Sequence, residues 1–250
     1  MSFSVKLFSS PSDFASLNSA DLSEQFANIS ARATGGKLWR EYQPGIDGWR
    51  DYFIGKGGRP EEYDRLVVIY SESKIVHFTA IKKLKIESWD VYWTFVSITH
   101  PEFQKNSLLG LAMTKLFDID WLKQNGNAFY ICRTPNPIVY ESFRQFSFLI
   151  EKLGFNSSFY PKIVSSDQIE APSSSVCEFA HKVAKMISPE CEFSDIDFVI
   201  RGYYKKYGFL YKEHYFKSNN KVVNSYIKNI LDHDNQDGIL LINEVTPNDL

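Results

Sequence analysis

The chain is poor in cysteine, has no excess of either charge and contains no long apolar run. Its three cysteines, Cys132, Cys177 and Cys191, are odd in number, far apart and free of any C-x-x-C spacing. That excludes a disulfide framework and a cysteine zinc site, and leaves three unpaired thiols as the reading. Twenty-eight Lys and Arg against 30 Asp and Glu give a net charge of -2. A strongly basic nucleic-acid surface is therefore not expected. The first residues, MSFSVKLFSSPSDF, have no basic start followed by an apolar stretch, so no signal peptide is read. No window approaches the roughly 18 apolar residues of a membrane span. A reducing cytoplasmic setting without a membrane partner is the expectation. G-x-x-x-x-G-K-[ST], H-E-x-x-H and G-x-S-x-G are all absent, and no metal site is expected.

What the chain has is aromatic mass. Of 250 residues 44% are hydrophobic and 16% aromatic, with 20 Phe, 14 Tyr and 5 Trp. This is enough for one large domain or two small ones, and far too much for a disordered chain. Aromatics on this scale build a core, an interface or the walls of a ligand slot.

The pattern along the chain changes twice. Residues 1–60 are mixed: a short amphipathic helix is read over 20–33, ended by Gly35-Gly36, and 38–60 carries Trp39, Tyr42, Trp49, Tyr52 and Phe53 among glycines and prolines. This part is read as an N-terminal segment covering the domain formed by 61–250. Strands are read over 65–70, 74–81 with a polar continuation to 89, and 91–98, forming an antiparallel meander. Apolar spacing then becomes helical over 108–124, stopped by Asn125-Gly126. A buried strand follows at 128–133 and a second helix at 138–151. Residues 165–175 are a Ser-rich loop and 176–186 a helix. Strands are read over 197–202 and 209–216, a helix over 221–231 and a last strand over 238–242. Strands, helix, strand, helix and a mixed tail make one mixed α/β fold without repeats.

The chemistry is concentrated at 96–113, where a strand feeds into a helix. Unpaired N–H groups at a helix start, with the helix dipole, form an anion site. An ordinary connection capped by Asn106 or Ser107 is the alternative. Thr99-His100-Pro101-Glu102-Phe103-Gln104 resembles the V-x-P-x-[YF]-[RQ] segment that opens the acetyl-CoA loop of the GNAT acyltransferases. Within the following [RQ]-x-x-G-x-[GA] pattern Gln104 fits, while Ser107 and Leu109 stand at the small-residue positions. Arg133-Thr-Pro-Asn-Pro-Ile-Val-Tyr140 and Arg201-Gly-Tyr-Tyr204 look like elements of a GNAT-like subgroup, and the resemblance spans roughly 63–245. It implies a GNAT-like, mostly antiparallel central sheet flanked by helices. It also implies acetyl-CoA, or another acyl-CoA, held by Ile98, Thr99, Gln104, Asn106, Ser107, Leu108, Leu109, Gly110 and Asn136. Tyr140 is the available acid for the leaving thiolate, because strict family spacing from Asn136 falls on Phe143. No acidic residue within 91–99 serves as a base; Glu87, Asp90 and His100 lie outside it.

Other clusters read as solvated surface: Asp232-His233-Asp234, Lys82-Lys83-Leu-Lys85 and the basic aromatic run at 203–207. Two readings stay open. One is an acyl-CoA-dependent N-acyltransferase whose acceptor is a small-molecule or protein amine; the other is a GNAT-like binding or interaction module without catalysis. A homodimer is compatible with both.

Overall fold

A computed structural model describes residues 2–9, 13, 25, 29, 33, 64–104, 106–206 and 217–248. The readings over 38–60 and 209–216, and most of the helix read at 20–33, lie outside these residues. The chain divides into two compact units, residues 1–83 with 93–120 and residues 84–92 with 121–250.

In the first unit, β1 (Phe3–Phe8), β2 (Arg65–Ser71), β3 (Lys74–Ile86) and β4 (Trp89–Thr99) supply the strands, the last two running on into the second unit. The register is antiparallel throughout: Phe3 opposes Ser71 and Phe8 opposes Leu66, while Arg65 opposes Ile81 and Ser71 opposes Lys74. Side-chain pairs from His77 to Thr99 and from Thr79 to Ser97 carry the antiparallel order on to β4. Five consecutive buried residues open β2; after Arg65, the four from Leu66 to Ile69 form the unbroken apolar run expected of a strand covered on both faces. Glu72, at φ 56°, makes the tight turn to β3. β1 falls within the part read from sequence as a cover; its six residues are a strand of the sheet.

Helix α1 (Leu108–Leu116) packs on β2 through Leu108, Ala112, Met113 and Leu116, one stripe at helical spacing. A single helix over 108–124 is corrected here: the chain forms α1 and then α2 (Ile119–Asn125). The break has a cause that apolar spacing does not reveal. Buried Arg65 donates to the Leu116 carbonyl at 2.6 Å and to the Asp118 carboxylate at 2.9 Å, and Phe117 turns out of the helix at φ -123°, ψ 57°.

The second unit is organised on β9 (Gly238–Pro247). It pairs antiparallel with β5 (Ala128–Thr134), with β6 (Phe155–Tyr160) and with the short β8 (Val199–Ile200), which in turn pairs with β7 (Phe193–Ser194). Helix α3 (Pro137–Lys152) lies on β6, β9 and β5 and buries Tyr140, Phe143, Phe146 and Ile150. Trp89 meets Phe129 edge-on, Phe129 stacks on Phe179 at 3.7 Å, and Tyr92 stacks on Tyr130, so much of this unit's core is aromatic. Helices α4 (Ser174–Ile187), α5 (Tyr203–Lys206) and α6 (Lys221–Ile230) complete it. α4 is capped by Ser173 and α6 by Asn220, each side-chain oxygen accepting backbone N–H groups of the first turn. Gly126 follows α2 at a point where no side chain fits: a Cβ there would stand 2.6 Å from the Leu122 carbonyl oxygen and 2.7 Å from the Phe155 ring. The fold is mixed α/β, mostly antiparallel and flanked by helices.

Candidate functional site

Ile98, Thr99, Gln104, Asn106, Ser107, Leu108, Leu109 and Gly110 form one continuous strand–turn–helix in the first unit. β4 ends at Thr99, and His100 caps a one-turn 3₁₀ helix, Pro101–Phe103, by accepting the Glu102 N–H at its Nδ1. Asn106 folds its side-chain amide back onto the Phe103 carbonyl. Ser107 then takes the left-handed conformation, φ 54° and ψ 29°, and its hydroxyl makes no cap to α1. A left-handed non-glycine residue carries strain that a turn must hold in place.

The helix start is consequently open. The first backbone bond into α1 runs from Leu111 N–H to the Ser107 carbonyl, and the N–H groups of Leu108, Leu109 and Gly110 have no acceptor among the described residues. Leu108 is buried, Leu109 half-buried, and Gly110 exposed with nothing within 4 Å of where a Cβ would stand. The bulk of Leu108 is thus directed into the protein, while Gly110 is exposed with open space beside it. Three N–H groups without acceptors among the described residues, at the positive end of a helix dipole, fit an anionic pyrophosphate.

Asn136 and Tyr140 belong to the second unit. Asn136 caps α3: its Oδ1 accepts the Ile138 N–H at 2.8 Å, its own N–H donates to Thr134 Oγ1, and Pro137 fills the first helical position, where no N–H is needed. Tyr140 is 1% exposed. Its hydroxyl donates to the Pro161 carbonyl at 2.8 Å and accepts the Ile163 N–H at 3.1 Å. Burial pushes the phenol up to about 12, against the bond from Ile163, which favours the ionised form. Phe143, at strict family spacing, is a core residue.

Two motifs read separately from sequence meet in this unit. The Arg133 guanidinium lies 3.4 Å from the centre of the Tyr203 ring and 4.9 Å from that of Tyr204, and the Tyr204 hydroxyl donates to the Arg133 carbonyl. Arg201 holds the same loop. It reaches Asp197 and Asp237 at 2.8 Å each and the Ile230 carbonyl at the end of α6. Asp237 is fully buried and also accepts the N–H groups of Gly202 and Asp232 and the side-chain amide of Asn235. Gly202, at φ 67°, makes the turn that puts both tyrosines on Arg133. The sequence carried a signal for this cluster, the Arg-Gly-x-Tyr element, but not its partner 70 residues earlier.

A polar cluster that the sequence reading missed lies in the first unit. His77, fully buried, bonds through Nδ1 to Thr99 Oγ1 and through Nε2 to Thr79 Oγ1, each at 2.7 Å, and Thr79 bonds to Ser97 at 2.8 Å. Burial holds the imidazole down at about 3, well below its ordinary value. Its signal in the sequence was slight: polar residues at alternate positions of two adjacent strands.

The three cysteines carry free thiols, and burial pushes Cys132 up to about 12. No group of metal-ligating side chains occurs among the described residues, and none of their helices is long and apolar enough to cross a membrane. Asp232-His233-Asp234 forms a turn in which Asp232 accepts the N–H groups of Asp234 and Asn235.

No protein-family model matches the chain, and no curated protein matches it. Among solved structures it is similar to the ribosomal-protein-S18-alanine N-acetyltransferase of Escherichia coli, with 14% identity over 70% of this chain and 86% of that one and a TM-score of 0.36. It is also similar to the diaminobutyrate acetyltransferase of Paenibacillus lautus, solved with its substrate and coenzyme A, with 11% identity over 64% and 83% and a TM-score of 0.39. An aminoglycoside acetyltransferase from an uncultured soil metagenomic sample shares 14% identity over 54% and 80%, with a TM-score of 0.37. Likenesses of this strength fix neither activity nor substrate.

Proposed function

We propose that the chain is an acyl-CoA-dependent N-acyltransferase that transfers an acetyl or other acyl group to an amine of a small molecule or protein. The observation that carries this reading is the start of α1: a left-handed Ser107 followed by three N–H groups without acceptors among the described residues, directly after the segment that resembles an acetyl-CoA loop. Gln104, Asn106, Ser107, Leu108, Leu109 and Gly110 hold the pyrophosphate, chiefly through backbone N–H groups. Ile98 and Thr99 at the end of β4 complete the cofactor set within this unit. The bound thioester supplies an activated acyl group; the chain's part is to bind it, orient it and manage the proton that the amine loses.

Tyr140 is the acid of this reading only if its hydroxyl exchanges its present partners, Pro161 and Ile163, for the leaving thiolate. Those bonds favour a second reading, a GNAT-like binding module without catalysis, in which Tyr140 ties α3 to the turn after β6.

Titration calorimetry with acetyl-CoA tests the first reading. Wild-type protein is expected to bind. Gly110→Asp, whose side chain enters open space but sets a carboxylate beside the helix start, is expected to abolish the heat while leaving the thermal midpoint nearly unchanged. Absence of binding by wild-type protein at millimolar acetyl-CoA would overturn the acyltransferase reading. Binding without acyl transfer to any of a panel of primary amines favours the module.

A further inference from the structure

The hydrogen bonds from Thr99 through His77 and Thr79 to Ser97 form an unbroken chain of four groups on one face of β3 and β4. His77 and Thr79 in the middle are fully buried, while Ser97 and Thr99 at the ends are half-buried and have no further partner among the described residues. Across the sheet His77 opposes Ile69 and Thr79 opposes Val67, so the β2 side offers nothing polar that competes for the imidazole. Neither charge nor titratable group stands among these neighbours.

We propose that this chain is a proton relay between the hydroxyls of Ser97 and Thr99, with His77 as its switching element. The inference rests on the acyltransferase reading for its purpose: in transfer from a thioester to an amine the nitrogen sheds a proton and the thiolate must gain one.

The geometry permits two arrangements that differ only in direction. With the proton on Nδ1, His77 donates to Thr99, Thr79 donates to Nε2, and Ser97 donates to Thr79. With the proton on Nε2, His77 donates to Thr79, Thr79 donates to Ser97, and Thr99 donates to Nδ1. A proton delivered to Ser97 Oγ converts the first arrangement into the second. The Ser97 proton passes to Thr79, the Thr79 proton to Nε2, the Nδ1 proton to Thr99 Oγ1, and the Thr99 proton leaves. Three protons shift by one hydrogen bond each, one enters at Ser97, one leaves from Thr99, and no charge remains on the buried ring. This is how an imidazole that burial keeps neutral can still move protons: it never needs to hold an extra one. Ser97 and Thr99 are two residues apart on one strand, so the relay carries a proton about 7 Å along β4.

Nitrogen-15 NMR of imidazole-labelled full-length protein tests the relay directly and without reference to any substrate. Expected for His77 are ring-nitrogen shifts reporting both neutral tautomers, averaged or as two sets, and unchanged from pH 8 to pH 5. Thr79→Val, which cuts the chain at its middle, is expected to leave one tautomer. A single fixed tautomer in wild-type protein overturns the relay, whatever the variants do. Turnover supplies a second measurement, with acetyl-CoA and a panel of primary amines. His77→Gln keeps a donor and an acceptor but cannot switch, and is expected to lower kcat about 100-fold with the KM for acetyl-CoA kept. An unchanged kcat overturns the relay. If wild-type protein does not bind acetyl-CoA, the acyltransferase reading fails, and the tautomer measurement still decides whether the relay exists.

Discussion

Acidification is the perturbation that isolates His77. The ring is fully buried between two threonine hydroxyls, and burial lowers its value from 6.5 to about 3. The unfolded chain therefore takes up a proton near pH 6.5 that the folded chain refuses until about pH 3. A group with a depressed folded value adds stability that is complete above its unfolded value and is lost as pH falls toward the folded one. At pH 5 the unfolded state has gained about 1.5 pH units of protonation free energy, or about 2 kcal/mol at roughly 1.36 kcal/mol per unit. The folded state gains almost nothing there, because pH 5 lies far above about 3. For a chain of this length about 2 kcal/mol lowers the thermal midpoint by about 4–8 °C between pH 8 and pH 5. The assay is a pair of thermal melts at the two pH values for wild-type protein and His77→Gln, which has no titrating ring. The difference between their pH dependences is the His77 contribution. Equal pH dependence in the two proteins would refute the reasoning, since it would mean that the ring titrates alike folded and unfolded.

Three further outcomes follow from the second unit. Asp237→Ala leaves the Arg201 guanidinium, two backbone N–H groups and the Asn235 amide without their shared acceptor, and is expected to cost about 3 kcal/mol in denaturant unfolding, near the low end for a broken buried pair because Arg201 keeps Asp197. Gly238→Ala sets a Cβ 2.8 Å from the Tyr204 ring and 3.3 Å from the Arg133 stem, so a loss of about 1–3 kcal/mol is expected, reduced when Tyr204→Leu is combined with it. Asn136→Ala removes the cap of α3 and is expected to lower stability by about 1 kcal/mol, while Asn136→Ser recovers most of it.

Legibility differed by element, for physical reasons. β2, β3 and β4 were readable because their apolar and β-branched runs have no helical period. The helix read at 138–151 appears as α3 because its cap, its Pro at the first turn and its apolar stripe are all local. β6 escaped because Phe155-Asn-Ser-Ser-Phe-Tyr160 carries a polar middle, which is satisfied by pairing to β9 and by a bond from Ser157 to Ser147 on α3. The single helix read over 108–124 failed because nothing in that stretch announces a break. The reason lies 51 residues earlier, in the Arg65 guanidinium that takes the Leu116 carbonyl.

The sequence by itself determined the antiparallel meander, the crossover into α1, the helix that becomes α3 and the absence of disulfide spacing. Each of these depends on neighbours within a turn or a strand, which is the range over which backbone propensity and side-chain period act. Tertiary structure alone decided that Ser107 is left-handed with open N–H groups behind it, and that the Tyr140 hydroxyl is shared between Pro161 and Ile163. It also brought Arg133 onto Tyr203, and His77 between two threonines. Those arrangements join residues up to about 70 positions apart, and a buried polar group takes its partners from whatever packing brings within hydrogen-bond reach.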